Sequence, residues 1–210
     1  MDTIKKSLFC VGNLLLIIFL SIFLSGCEDK EDILDQYAGK RLGVIVETNN
    51  SEYESVLSSK LIDYISRRAD LEVVDPELLL SADLQVPSSP KASRQFYREE
   101  LELDLLLTVK ITDILFKKSF PSFNFGSEYM EVKITHSCSL TLAYTLRDLE
   151  SDKRLNIGQK RGEAKKSIKI GAGKGKVKID PSINSNLTED EEYELLEKAM
   201  LDAMRDSDLI

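Results

Sequence analysis

His136 and Cys138 are the pair of residues in this chain whose types come nearest to nucleophilic catalysis, because an imidazole beside a thiol can accept its proton. They lie two positions apart in an alternating segment, so both side chains point to the same face of a strand. The other residues of that face are apolar, and no Asn or Asp stands at an obvious position to orient the histidine. We therefore expect both residues to lie in the core, and we predict no catalytic residue.

A glycine-rich segment, Gly171-Ala172-Gly173-Lys174-Gly175-Lys176, has some features of a phosphate-binding loop. Such a loop needs two glycines separated by four residues, followed by Lys and Ser or Thr. Ile170 stands where the first glycine is needed, and Val177 stands where the hydroxyl residue is needed. The segment favours a lysine-rich hairpin instead, with Ile168 and Ile170 on one limb and Val177 and Ile179 on the other.

Cys27 is the third candidate, and its chemistry would be covalent modification. Lys5 and Lys6 precede an almost wholly apolar run, residues 14–24, which ends in Leu24-Ser25-Gly26-Cys27. This order is typical of a secretory signal, and the apolar run is too short for a comfortable transmembrane helix. Its end resembles the bacterial lipobox, whose cysteine takes a diacylglyceryl group before cleavage and a further acyl chain after it. The resemblance implies removal of residues 1–26 and a covalent lipid on Cys27. We predict no other cofactor.

An uncleaved membrane anchor with an incidental cysteine is the alternative reading of the N-terminus. The charged residues 28–32 follow Cys27 at once, which argues against it. Each buried methylene contributes about 0.8 kcal/mol, so several acyl chains would anchor the protein durably. Under either reading we expect a membrane-anchored protein, and we place it at the outer membrane, facing the periplasm.

Composition limits the remaining possibilities. Removal of residues 1–26 leaves 184 residues, enough for one domain, and the whole chain carries a net charge of −8. An acidic protein is a poor general binder of nucleic acid. Cys10 would leave with the signal and Cys27 would be acylated, so Cys138 has no intramolecular partner. We predict no disulfide and no metal site.

The chain divides into a signal peptide (1–26), a polar lipidated tether (27–39) and a single domain (40–210). Ser51 and Glu54 have the spacing of a capping box, as do Thr188 and Glu191, and Asp75-Pro76 is typical of a helix start. From patterning we predict strands at 42–47, 71–74, 103–112, 132–147 and 154–165, and helices at 51–68, 77–81, 92–101 and 188–203. We expect an α/β fold with a mixed, mostly antiparallel sheet packed with helices, in the order β-α-β-α-β-β-β-α.

Residues 153–178 hold ten basic residues and one acid, in a chain that is otherwise strongly acidic. The segment could be a solvated edge hairpin that its lysines protect from aggregation. It could equally contact anionic lipid headgroups, a polyanion or the acidic face of a second copy in a homo-oligomer. The contact candidates are Lys165, Lys166, Lys169, Lys174, Lys176 and Lys178.

Residues 116–129 are unusually aromatic, and we predict a loop there because Pro121 and Gly126 should prevent regular structure. The aromatic side chains could fold back as a lid on the core or form a wedge for a partner or a membrane. The aromatic residues are Phe116, Phe120, Phe123, Phe125 and Tyr129, of which Phe120, Phe123 and Phe125 are the contact candidates.

Four segments together resemble the periplasmic domain shared by several bacterial lipoproteins: Lys40–Val46, Leu71–Pro76, Leu103–Ile114 and Leu140–Asp148. That group includes the curli secretion-channel lipoprotein, the lipoprotein activators of penicillin-binding proteins, flagellar assembly lipoproteins and the N-terminal domain of the Tol translocation protein. The resemblance covers roughly residues 40–205.

The resemblance implies a protein that is not an enzyme and that binds an envelope protein, as a scaffold or accessory factor for an outer-membrane or surface assembly or a secretion system. Activation of a periplasmic peptidoglycan synthase is an alternative within the same class. An envelope hydrolase that uses His136 or scattered carboxylates is the alternative from another class. The lysine-rich hairpin is short for spanning a membrane, which argues against a pore of the curli type.

Overall fold

The computed structural model describes residues 32–80, 84–125, 130–172 and 186–209. Residues 32–209 belong to one compact unit. After a 3-10 helix, Ile33–Tyr37, the elements in chain order are β1 Arg41–Thr48, α1 Ser51–Ser66, β2 Glu72–Val74, α2 Pro76–Leu79, α3 Pro90–Glu99, β3 Leu105–Lys118, β4 Ser122–Phe125, β5 Met130–Asp148, β6 Arg154–Ala172 and α4 Glu189–Arg205.

One mixed sheet joins all six strands. β1 pairs in parallel with β2 on one side and with β3 on the other. β5 is long enough for β3 and the short β4 to follow one another along one of its edges, while β6 pairs antiparallel along the other. The two parallel pairs come from helical crossovers and the three antiparallel pairs from direct returns of the chain. The predicted mixed, mostly antiparallel α/β fold is confirmed.

The main core lies between one face of the sheet and the helices α1 and α4. Alternate residues of β3 and β5 supply that face, as the period-two patterning predicts. Each of the following is less than 4% exposed: Leu105, Leu107, Val109 and Ile111 of β3, and Cys138, Leu140, Leu142, Tyr144 and Leu146 of β5. A smaller cluster around Leu101, Leu103, Leu106 and Leu149 fills the opposite face, under α3.

The residue that caps the N-terminus of α1 lies one position before the one that the sequence analysis predicted. Asn50 is the N-cap, and its side-chain oxygen accepts the backbone N–H of Glu52 at 3.1 Å. The predicted capping box of Ser51 and Glu54 is therefore wrong: two adjacent residues were both good caps, and Asn50 has the extended backbone that a cap needs. The capping box of Thr188 and Glu191 is confirmed at the start of α4, as is the Asp75 cap of α2.

Residues 33–37, which the sequence analysis assigned to the tether, form a 3-10 helix on the body of the protein. Leu34 is fully buried in the main core, and its backbone N–H donates to the carbonyl of Leu209 at 3.1 Å. Residues 33–37 accordingly pack with the compact unit, outside the 40–210 bounds that the sequence analysis predicted for the domain. The segment Ile33–Tyr37 gives little sequence signal, because five residues are too few to show a period.

Two predictions about the far end of the sheet are wrong. The expected loop at 116–129 instead carries β3 on to Lys118 and includes β4, because the long edge of β5 offers both segments a partner. The return strand, β6, does not end at Lys165 but continues to Ala172. Within this extension, Ile168 pairs with Ile134 of β5. Pro121 still lies between β3 and β4, so it interrupts the pairing with β5 without preventing it. The second limb of the predicted hairpin lies outside the described residues.

Candidate functional site

Cys27 lies outside the described residues, so the lipid on it remains a prediction. No helix among the described residues is both long enough and apolar enough to cross a membrane. Nor do any three or more His, Cys, Asp and Glu side chains come together as a possible metal site within residues 32–80, 84–125, 130–172 and 186–209.

His136 and Cys138 lie in the interior of the sheet, as predicted. Cys138 is fully buried and His136 is only 6% exposed. Burial raises the pKa of the Cys138 thiol to about 11, so the thiol stays protonated at neutral pH. A protonated, buried thiol is a small apolar core group and a poor nucleophile.

The basic candidates of β6 fall on different faces of the strand. Lys166 points toward α4, where its ammonium lies 2.9 Å from Glu194 and 3.2 Å from Glu191. Glu194 also contacts Lys198 at 2.7 Å. The hydrogen bonds from Lys198 and then from Lys166 lower the pKa of Glu194 to about 2. Lys166 thus joins β6 to α4, a structural role.

Lys165 and Lys169 lie on the opposite face and are mostly exposed, with carboxylates of the same chain beside them. The Lys165 ammonium is 3.1 Å from Glu163, and the Lys169 ammonium is 3.5 Å from Glu131. Lys174, Lys176 and Lys178 lie outside the described residues. The structure therefore does not gather the three described lysines into one positive patch.

Phe120 and Phe123, the aromatic contact candidates whose side chains the structure describes, do not cover the core. Phe120 is 95% exposed and Phe123 is 54% exposed, whereas Phe116, still within β3, packs against the main core. The side chain of Phe125 lies outside the described residues. Phe120, between β3 and β4, and Phe123, in β4, lie at the surface, and the wedge for a partner or a membrane stays a prediction.

A groove that the sequence analysis missed runs along β1 beyond the end of β2, and we call it the β1-edge groove. α1 forms one wall, and α2 with the end of β2 forms the other. Its volume is about 850 Å³, within the range of ligand-binding sites. Its lining comprises Val44, Ile45 and Val46 of β1, Ser51, Glu54, Ser55, Ser58, Ser59, Ile62, Asp63 and Ser66 of α1, and Val73, Val74, Asp75, Glu77, Leu78 and Leu79.

The groove exists because the wall that α1 presents carries small side chains. Ser51, Ser55 and Ser59 recur every four residues, so they lie one above another on the same face of the helix. That spacing is a sequence signal that could have pointed to the groove. Serines there leave space next to β1 where leucines would have filled it.

Carboxylates surround the β1-edge groove, and the described residues that line it include no Lys, Arg or His. Asp63 is paired with Arg67 at 2.8 Å, and Asp75 accepts hydrogen bonds from the Ser58 hydroxyl and the Glu77 backbone. Burial and then the neighbouring carboxylates of Asp75 and Glu54 raise the pKa of Glu77. The groove therefore combines an apolar floor with four carboxylates among its described lining residues.

A second recess lies on the opposite face of the sheet, beside α3, and its lining includes Arg94, Arg147 and Arg154. Asp152 receives Arg94 in a two-pronged contact (2.6 and 3.1 Å) and also Arg147 at 3.1 Å. The hydrogen bond from Arg94 lowers the pKa of Asp152, and Arg147 lowers it further by a smaller amount. These contacts fix the β5–β6 turn to α3, so we assign them a structural role.

No protein-family model matches this chain, and no curated protein matches it. Solved structures with a similar fold include the C-terminal domain of LpoB from Salmonella enterica, at 14% identity and a TM-score of 0.36 over 59% of this chain and 82% of that one. Lipoprotein GNA1162 from Neisseria meningitidis is 11% identical, with a TM-score of 0.35 over 80% of this chain and 99% of that one.

A PelC dodecamer from Paraburkholderia phytofirmans is also similar, at 11% identity and a TM-score of 0.31 over 78% of this chain and 86% of the other. Bacterial lipoproteins thus recur among the similar structures. Likeness at these TM-scores carries no argument, so the function of this chain has to be argued from its own residues.

Proposed function

We propose that this protein is a lipid-anchored protein of the bacterial cell envelope that acts by binding, as a scaffold or accessory factor for an outer-membrane or surface assembly or a secretion system. The observation that carries the proposal is the run Leu24-Ser25-Gly26-Cys27 at the end of an apolar segment, followed at once by charge. A thiol at that position can take acyl chains, and several chains together hold a protein at a membrane.

In the described part of the chain, the positions of reactive and apolar side chains support a binding role over a catalytic one. The thiol of Cys138 is buried and protonated, and it lies away from the β1-edge groove. Large apolar side chains, in contrast, are held at the surface: Leu78 is 84% exposed and Phe120 is 95% exposed. Each of these side chains is available for apolar contact with a binding partner.

Metabolic labelling with an alkyne-bearing fatty acid tests the anchor. We expect the native protein to be labelled, and we expect Cys27→Ala to lose the label and to accumulate as the longer, uncleaved precursor. Cys138→Ala is the matched control and should remain labelled. Equal labelling of Cys27→Ala, or no labelling of the native protein, would contradict the proposal. Separation of the two membranes by density then tests the outer-membrane location.

Crosslinking in intact cells tests the binding role. We expect the captured partner to be a component of an outer-membrane or surface assembly or a secretion system. Capture of a peptidoglycan synthase would assign the protein to synthase activation instead. A purified, acylated protein that turns over an envelope substrate, with that activity lost in His136→Ala, would make it a hydrolase.

A further inference from the structure

The sheet face opposite the main core gathers basic residues from three strands. Odd-numbered residues of β5 and β6 point to this outer face, because their even-numbered neighbours are the ones that turn toward the core. On β3, Lys117 is in register with Ser137 of β5, so it joins the same face. Four of the five basic side chains are exposed and that of Lys133 is half-buried. We call this patch the basic face: Lys117, Lys133, Arg161, Lys165 and Lys169.

Like charges lie side by side on the basic face. Lys133 and Lys169 are directly opposite each other across β5 and β6, an arrangement that destabilises a strand pair. Lys117 and Lys165 flank Ser137 from its two sides, about 10 Å apart, which is two strand spacings. An anion bound between the members of each pair would relieve this repulsion.

The carboxylates of the outer face balance only part of this charge. Glu163 is 3.1 Å from Lys165, and Glu131 is 3.5 Å from Lys169. Such surface pairs each contribute about 1 kcal/mol or less. Among the described residues, three basic side chains have no ion pair or hydrogen bond: Lys117, Lys133 and Arg161. The basic face is therefore positive, on a chain whose net charge is −8.

A row of hydroxyl groups on β5 runs through the middle of the basic face. Each of these side chains is half-buried and can both donate and accept a hydrogen bond. At one point the row extends onto β6, where the hydroxyls of Thr135 and Ser167 lie 3.0 Å apart. The row is about 20 Å long and consists of Thr135, Ser137, Ser139 and Thr141.

This chemistry favours a polymer of acidic sugars over the other polyanions. A protein partner usually brings an interface with an apolar, aromatic-rich centre, and a membrane takes up apolar side chains below its headgroups. Among the described side chains of this patch, the large apolar one is Leu115, which is 46% exposed. Hydroxyls flanked by cations match the hydroxyls and carboxylates that alternate along an acidic polysaccharide.

We propose that the basic face binds a linear acidic polysaccharide. The lysines and Arg161 pair with its carboxylates, and the hydroxyl row of β5 hydrogen-bonds its sugar hydroxyls. This inference goes beyond the proposed function, because it gives the protein a contact with a polymer in addition to its protein partner.

Binding of polygalacturonate, a linear polymer of carboxylated sugars, tests the inference. The full-length protein is purified from its native cells in a neutral detergent. We expect binding that weakens steeply as salt is added, because counterions are released when the charges pair. Dextran, an uncharged polysaccharide, should not bind. Poly-L-glutamate has carboxylates without sugar hydroxyls and should bind at least about fivefold more weakly.

Charge removal supplies the second readout. Lys117→Gln, Lys133→Gln and Arg161→Gln together should weaken polygalacturonate binding about tenfold at low salt and make its salt dependence shallower. The matched control removes three exposed cations from the helices on the other side of the sheet and should change binding less than about twofold: Lys60→Gln, Arg67→Gln and Arg205→Gln.

A charge-preserving variant separates lost binding from lost folding. Lys117→Arg with Lys133→Arg keeps both cations and should bind within about twofold of the native protein. An unchanged melting temperature of the triple glutamine variant on the basic face would show that its fold is intact, as expected for side chains without recorded partners.

Three outcomes would overturn the inference: no binding of polygalacturonate at low salt, equal weakening by the two triple variants, or poly-L-glutamate bound as tightly as polygalacturonate, which would make the occupant an acidic protein segment. Fatty-acid labelling separates this inference from the proposed function. A labelled protein that does not bind the polymer overturns only the inference, whereas an unlabelled protein that binds it overturns only the anchor.

Discussion

Gly162 of β6 lies directly against the backbone carbonyl of Ala199 in α4, so closely that a side chain at position 162 would overlap the carbonyl oxygen. The contact is with helix backbone, which cannot move aside as a flexible side chain could. α4 therefore packs on β6 at a distance that only glycine allows. The same helix supplies Leu196, Ala199 and Met200 to the main core, so its position affects the whole body.

Gly162→Ala should destabilise the protein by about 1–3 kcal/mol, because the helix has to shift away from the sheet. Chemical denaturation monitored by circular dichroism measures this change. Gln159→Ala, exposed on the same strand, is the control and should stay within about 0.5 kcal/mol of the native protein. Equal stability of Gly162→Ala and the native protein would mean that α4 does not approach β6 this closely.

Two adjacent lysines should differ in their effect on stability. Lys166→Gln should lower the melting temperature at neutral pH, because it removes the cation between Glu191 and Glu194. Lys165→Gln breaks only an exposed contact with Glu163 and should leave the melting temperature nearly unchanged. If Lys165→Gln lowers the melting temperature as much as Lys166→Gln does, the proposed link between β6 and α4 is wrong.

The same cluster predicts a dependence on acid. The pKa of Glu194 is lowered from 4.5 to about 2, so its stabilising contribution is complete above about pH 4.5 and is lost as the pH falls toward 2. Glu194→Gln should therefore melt below the native protein at pH 7, and the difference should shrink between pH 4.5 and pH 2. Thermal melts across that range measure it. A difference that stays constant from pH 7 to pH 2 would rule out the assigned role of Glu194.

Cys138 should resist thiol reagents while the protein is folded. Its pKa of about 11 and its complete burial leave neither thiolate nor access at pH 8. Alkylation followed by mass spectrometry of the peptide that contains Cys138 should show at least about a hundredfold slower reaction in buffer than in denaturant. Comparable rates in the two conditions would place Cys138 outside the core.

Leu34 tests where the folded body begins. Leu34→Ala should destabilise the protein by about 2–4 kcal/mol, because it leaves a cavity in the main core. Leu78→Ala makes the same chemical change at an 84% exposed position and should cost less than about 0.5 kcal/mol in the free protein. Were Leu34→Ala as mild as Leu78→Ala, residues 33–37 would belong to the tether, as the sequence alone suggested.

Sequence patterning predicted the parts of the fold that repeat. The alternation through Leu105 and Leu107 on β3, and through Cys138 and Leu140 on β5, fixed which face is buried, since a strand has a period of two. It also placed His136 correctly in the core. Features set by a single residue were missed, such as Leu34 on the core and Asn50 in place of Ser51 as the helix cap.

Features that depend on pairing between distant segments were missed for a different reason. β4 exists because β5 extends past the end of β3, and nothing within Ser122–Phe125 reports that. The β1-edge groove likewise depends on β2 being shorter than β1, a relation between two strands. Only the spaced serines of α1 gave a local signal for it, and serines on a helix usually face water.

Mass spectrometry of the N-terminal peptide, from protein purified out of native membranes, tests the central claim most directly. The account predicts a chain that begins at Cys27 and carries the mass of a diacylglyceryl group with a further acyl chain. A chain that still begins at Met1 and carries no acyl mass would contradict it.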